Sequence, residues 1–212
     1  MPVKRTLLFL SLWACAAGMA VAAERWSLEG YLGDAYNFRS RLRITQDGGF
    51  SSSISADYRT NGFESPIYYN VRGAHWEQDR AWELSLSHHK LFLQNPPPGV
   101  TALSVSHGFN MLTVNRAFRS GDWIYRFGIG PVITHAEGII NGIGYDGPYK
   151  ISGAALLAGG GRRFYLDRTT FLSLEAMATA AYINPKMSGP LNAEITAANF
   201  AVHGLAGIGF EF

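Results

Sequence analysis

A disulfide scaffold is excluded first: the chain holds one cysteine, Cys15, and it lies in a stretch that reads as a removable leader. Lys4 and Arg5 form a positive start, Thr6 to Ala20 an apolar stretch, and Val21-Ala22-Ala23 a small-residue cleavage site. The expected division is therefore a leader over 1–23 and a single exported domain over 24–212. Trp13 is bulky where a lipoprotein signal wants a small residue, which argues against lipidation at Cys15. An excess of charge is also missing. Without Lys4 and Arg5 the Lys+Arg count falls from 18 to 16, level with the 16 Asp+Glu. No basic stripe remains, which argues against a nucleic-acid partner. Nor does 24–212 contain a run of roughly 18 apolar residues, so a membrane-spanning helix is excluded.

What is present is glycine (24 residues), aromatics (13%) and short alternating segments. From Phe200 the even positions read Phe, Val, Gly, Ala, Ile, Phe, Phe, while His203, Gly207, Gly209 and Glu211 occupy the other face. Leu172, Leu174, Ala176, Ala178 and Tyr182 alternate with Ser173, Glu175 and Thr179. Trp123, Tyr125, Phe127 and Ile129 alternate with Arg126, Gly128 and Gly130, and Trp82, Leu84 and Leu86 with Glu83, Ser85, Ser87 and His89. Period two means strands. Charges in mid-strand on the small-residue face fit a surface that looks into a polar lumen. The expected fold is all-β, a closed antiparallel transmembrane β-barrel.

Ten strands can be drawn, over about 26–36, 39–46, 50–59, 67–76, 81–92, 109–118, 123–135, 149–164, 170–183 and 200–212; eight is the alternative. Tight turns at 46–49, 77–80, 119–122 and 167–168 alternate with longer links at 60–66, 93–108, 136–148 and 184–199, as short periplasmic turns and long extracellular loops would. Trp26, Trp76, Trp82 and Trp123, with Phe50, Phe118, Phe164 and Phe212, are expected to form an aromatic girdle at the periplasmic interface. Glu29, Asp57, Arg59, Arg72, Glu83, Arg126 and Glu175 are expected to pair inside the lumen and close it, because so narrow an interior is filled by side chains. Gly159-Gly160-Gly161 reads as close strand packing or a bend.

The terminal strand Gly207-Ile208-Gly209-Phe210-Glu211-Phe212 resembles the assembly signal of bacterial outer-membrane β-barrel proteins. That resemblance implies an integral outer-membrane location and recognition of the last strand, ending on Phe212, by the barrel-assembly machinery. A monomer is expected.

His88, His89, His107, His135 and His203 map to one extracellular layer in the ten-strand reading, together with Ser106, Glu137 and Asp34. Imidazole, hydroxyl and carboxylate in one layer have the makings of a hydrolytic triad. At that depth the chain resembles the small outer-membrane lipid A deacylases, whose Ser–His–Glu arrangement would correspond to Ser106 as nucleophile, His107 or His135 as base, and Glu137 as the orienting carboxylate. It departs from them in one respect: Ser106 directly precedes His107, where that family has His-x-Ser. The remaining candidates, His88, His89, His203 and Asp34, read as binding residues toward outer-leaflet lipid or lipopolysaccharide. His88 and His89 point to opposite faces of a strand, and no spacing matches a zinc motif, so no metal or cofactor is expected. A non-enzymatic binding barrel and a narrow porin-like channel are the competing readings.

Overall fold

The computed structural model describes residues 24–188 and 192–212, and for Ser106 and His107 the backbone alone. The leader and Cys15 lie outside the described residues. Every regular element described is a strand: β1 (Glu24–Phe38), β2 (Ser40–Gln46), β3 (Ser51–Ala56), β4 (Tyr58–Arg59), β5 (Tyr69–Glu77), β6 (Arg80–Leu93), β7 (Val100–Ser120), β8 (Trp123–Thr134), β9 (Glu137–Ile140), β10 (Ile143–Asp146), β11 (Lys150–Tyr165), β12 (Thr170–Ile183), β13 (Lys186–Met187) and β14 (Ala193–Glu211). Among the described residues no helix is long and apolar enough to cross a membrane.

The antiparallel pairings close on themselves. From β1 they run through β5, β6, β7, β8, β11, β12 and β14, and β14 returns to β1 with Ser27 opposite Glu211 and Phe38 opposite Phe200. The ring therefore passes through eight strands, where ten had been drawn. Two local irregularities explain the difference. Phe38 pairs with Phe200 but Leu42 with Ala197, so β1 and β2 are one rising strand with an extra residue at Arg39–Ser40. Such a bulge exchanges the faces of the residues beyond it. Then β3, β4 and β5 form one descending strand interrupted by 60–68. Arg59 faces Tyr36 and Phe92, while Tyr69 faces Leu32 and His88, so nine residues stand where each neighbour has three. The hairpin at 46–51 consequently sits at the far end from the termini, and Phe50 packs there against apolar side chains, away from the expected girdle.

An apolar band of outward positions runs around the wall: Leu28, Leu84, Val114, Phe127, Leu156, Leu174 and Ile208 are all exposed. In water such a continuous apolar band would be a liability; in lipid it is the solvated surface. Trp26, Trp82, Trp123, Phe118, Phe164, Phe210 and Phe212 ring the terminus end. Trp76 does not join them. It is buried, donates its indole proton to Ser27 Oγ at 3.1 Å, and lies under the guanidinium groups of Arg119 and Arg163. Its parity within β5 is that of Arg72 and Ala74, the lumen face. The turn before β12 is held by Asp167, whose carboxylate accepts the amide protons of Thr169 and Thr170 and is thereby lowered to about 2.

Inside, three layers follow one another from the terminus end. The first is ionic. Arg72 donates twice to Glu175, at 3.2 Å each, and lies 3.5 Å from Glu29 and 3.7 Å from Glu83. Arg126 bonds Glu83 at 3.0 Å and also Glu175, while Arg163 joins Glu29 (2.6 Å) to Glu211 (2.5 Å). Five of the seven lumen charges expected from sequence are in this network. Asp57 and Arg59 are not, because they lie on the far-end hairpin beyond the ring of ion pairs, where Asp57 meets Arg39 at 3.1 Å. Gly159 and Gly161 face Glu175: a Cβ on Gly161 would come within 2.6 Å of Leu174 O and 3.0 Å of Glu175 Cβ, so the missing side chains leave room for the carboxylate network. The second layer is neutral and polar, built on His89, His203 and Tyr68. The third is an apolar core of Leu42, Ile44, Leu91, Leu103, Phe109 and Ile195 with their neighbours.

The face assignment carries a direct test. Leu174 points to lipid and Ser173 into the lumen. Leu174→Arg is expected to destabilise the barrel by about 2–4 kcal/mol, and Ser173→Ala by much less, measured as urea midpoints in detergent. Equal effects would mean the strand is displaced by one residue.

Candidate functional site at the extracellular rim

The histidines expected in one layer separate into different environments. His89 and His203 are buried in mid-lumen, their rings 4.9 Å apart. His203 shares hydrogen bonds with Tyr68 OH (3.0 Å) and Thr179 Oγ1 (2.9 Å), and His89 with Thr60 Oγ1 (3.0 Å), which in turn accepts from Asn37 (2.8 Å). These contacts hold the 60–68 insertion in the wall. His88, on the opposite face of β6, bonds Asn110 at 2.8 Å and stacks on Tyr69. Asp34 accepts the amide proton of Gly62 at 3.0 Å, and Lys90 Nζ donates to the carbonyls of Asn61 (2.5 Å) and Glu64 (2.8 Å). The geometry of His88, His89, His203 and Asp34 thus serves the wall and its insertion. Sequence could not foresee this, since the insertion breaks no alternation pattern.

At the rim the structure brings His135 and Glu137 together with a residue that sequence reading missed. His135 follows β8, and its backbone N–H donates to Gly108 O at 2.8 Å. The β9–β10 hairpin turns at Asn141-Gly142, both at positive φ, and sets Glu137 opposite Asp146. A two-residue turn of that kind suits the twist of a hairpin. His135 Nε2 then lies 2.7 Å from Asp146 Oδ1, and Nδ1 3.8 Å from Glu137 Oε1, with the Tyr149 ring 4.8 Å from the imidazole. Asp146 lies eleven residues from His135, and only the fold of the hairpin joins them. Ser106 and His107 lie on β7 beside this region, with side chains outside the described residues. Ser104, on the same strand, pairs with Glu137 and lines a cleft of about 490 Å³ with Glu137 and Asp146.

A second constellation lies on the outer wall. Beyond the bulge, Arg41 and Arg43 point outward while Ser40, Leu42 and Ile44 turn in. Arg39 and Arg59 are exposed beside them; Asp57 and Glu194 are the neighbouring acids. The signal was visible in sequence as Arg39-Ser40-Arg41-Leu42-Arg43, charges at period two on one face. Directly beneath, Phe38 and Phe200 face each other across β1 and β14, exposed, and a groove of about 360 Å³ runs between Leu156 and Phe200 over Ala158, Ala178 and Ala180. Two outward cationic side chains therefore follow, on the same rising strand, a phenylalanine that lines this apolar groove.

No protein-family model matches the chain, and no curated protein matches it in sequence. Solved structures of similar shape include the outer-membrane protein AlkL in lipid bilayers (11% identity, TM-score 0.49, covering 100% of this chain and 97% of that one). OprG from Pseudomonas aeruginosa aligns over 90% of this chain and 97% of its own at 12% identity and a TM-score of 0.48. The attachment invasion locus protein Ail of Yersinia pestis aligns over 89% and 98% at 13% identity and a TM-score of 0.40. The chain's own closed antiparallel ring, its continuous outward apolar band and its ring of exposed aromatics at one end are the features of a membrane-spanning β-barrel.

Proposed function

We propose that the protein is a non-conducting outer-membrane barrel that binds an anionic outer-leaflet glycolipid, lipopolysaccharide in a Gram-negative cell, on its outer wall. One observation carries this reading: the outward Arg41 and Arg43 follow groove-lining Phe38 on the same rising strand, at one end of the apolar groove between Leu156 and Phe200. An acyl chain lying in the groove would place its phosphorylated headgroup at guanidinium height, and Arg matches phosphate oxygens two at a time. The filled lumen supports the non-conducting part, since ionic, polar and apolar layers occupy it in turn.

Lipopolysaccharide binding by the detergent-solubilised protein should weaken at least about tenfold in Arg41→Ser/Arg43→Ser, given roughly 1.5–3 kcal/mol for each hydrogen bond to a charged group. Unchanged affinity, or equal binding of an uncharged lipid, overturns the reading. Planar bilayers containing the pure protein should show no steady conductance; large lasting channels would favour a porin.

Hydrolysis of a lipid A ester at the rim is a second reading, favoured by the His135–Asp146 contact, which could orient an imidazole as a base. In it Ser106 would attack the ester carbonyl while His135 or His107 takes its proton and returns it to the departing sugar alkoxide. Water would then release the fatty acid from the serine, and Asp146 joins Glu137 as orienting carboxylate. Mass spectrometry of lipid A from cells with and without the protein, and with His107→Ala or His135→Ala, decides it. Loss of one acyl chain that either substitution abolishes supports the enzyme; an identical profile in all four samples ends it.

A further inference from the structure

We infer that His135, Glu137 and Asp146 form a binding site for a late first-row divalent cation of the Zn²⁺ type at the extracellular rim. The inference is independent of lipid binding. One imidazole nitrogen and two carboxylate oxygens lie within 4.8 Å of one another. Imidazole nitrogen and carboxylate oxygen are both zinc donors, and three protein ligands with a fourth position left to water is the arrangement of an open zinc site.

The backbone brings the three donors together, so little ordering is left for the ion to do. Glu137 and Asp146 are register partners across a two-residue hairpin, and the hairpin is tied to the wall by the pairing of Glu137 with Ser104 on β7. The Gly147 amide donates to Ala136 O at 3.2 Å, closing the base of the hairpin beside His135. The Tyr149 ring tilts against the imidazole and limits its rotation.

The dimensions are near those required. Metal–ligand bonds of about 2.0–2.2 Å hold tetrahedral donors roughly 3.3 Å apart. Asp146 at 2.7 Å from Nε2 would open slightly, and Glu137 would swing in toward the same nitrogen. Asp146 is largely exposed and free to make that adjustment. The imidazole selects against Ca²⁺ and Mg²⁺, which prefer all-oxygen shells of six or more ligands. Glu137 and Asp146 also line the cleft with Ser104, Gly138 and Gly144, so an ion held there would face open space on one side. An anionic group could approach it from that side. Sequence spacing hides the site because two ligands sit on β9 and β10 at positions related only by the hairpin register.

The test uses the full exported chain, refolded in detergent and stripped with a chelator. Isothermal titration with ZnCl₂ should give one site per chain, with Ca²⁺ and Mg²⁺ much weaker. Co²⁺ titration should produce the visible absorption bands of a low-coordinate site. His135→Gln/Asp146→Asn should weaken Zn²⁺ by at least about tenfold and abolish those bands, while heat-modifiable gel migration stays as in the parent. Two results overturn the site: no saturable Zn²⁺ binding by the parent, or binding and Co²⁺ bands that survive in the folded double variant. The second would assign the ion to other histidines, such as His75 beside Glu24.

Discussion

Glu175→Leu should destabilise the folded barrel by about 3–5 kcal/mol, the usual consequence of removing one partner from a buried ion pair. Glu175 accepts from both Arg72 and Arg126, and all three side chains are buried. Without it, two guanidinium groups share Glu29 and Glu83, and Arg163 already draws on Glu29. The loss is chiefly that of stranded charge, so Arg72→Met/Glu175→Leu should cost less than the two single changes added together. Urea midpoints in detergent, followed by the gel shift between folded and unfolded forms, give the comparison. Strict additivity would show that the carboxylate and guanidinium act independently and that the network is no unit.

A steric change should be more severe. A Cβ on Gly130 would lie 1.8 Å from Leu112 O and 2.8 Å from Thr113 Cα, both backbone atoms of the neighbouring strand. The pairing of β7 with β8 keeps one register from Met111–Val132 to Val114–Ile129, and Gly130 lies between them, close against the backbone of Leu112 and Thr113. Overpacking costs typically about 1–3 kcal/mol where side chains can yield; here backbone must move. Gly130→Val should fail to give the heat-modifiable folded form on refolding into detergent. Gly204→Val is the control, because its Cβ meets nothing within 4 Å and points to lipid. Normal folding of Gly130→Val would mean that β7 and β8 pair in another register.

The faces of the strands were legible in sequence because period two records burial directly. Leu172 and Leu174 against Ser173 and Glu175 needed only alternation. The strand count was not legible, for two reasons of geometry. A bulge at Arg39–Ser40 resembles a turn, since both break the alternation, and the 60–68 insertion looks like a loop between separate strands. Trp76 was misplaced because position near a turn says nothing of which face a side chain takes; its parity with Arg72 does. The ionic layer was read from charges in mid-strand, yet Arg163 was not among them, and Glu211, though placed on the inward face, was not counted with the pairing charges. At the rim, His135 and Glu137 are close in sequence and lie 3.8 Å apart, whereas the approach of Asp146 depends on the Asn141-Gly142 turn. Of the histidines drawn in one layer, His89 and His203 lie together inside the lumen, His88 points to the other face of β6, and His135 stands beside Asp146.

The ionic layer also bears on the order of assembly. Hairpins such as β5–β6, β7–β8 and β11–β12 join residues close in sequence and can form early. Arg163 and Glu29 are 134 residues apart, and Arg72 and Glu175 are 103 apart. Contacts of such high contact order come after the entropy of closing long loops has been met. Glu29 sits on β1, and the β1–β14 seam is the pairing that makes the sheet a ring. A sheet still open at that seam would turn Arg163 and Glu211 toward lipid without Glu29, a poor state in hydrocarbon. The lumen charges are therefore expected to make closure cooperative, with the last seam and the ion network forming together.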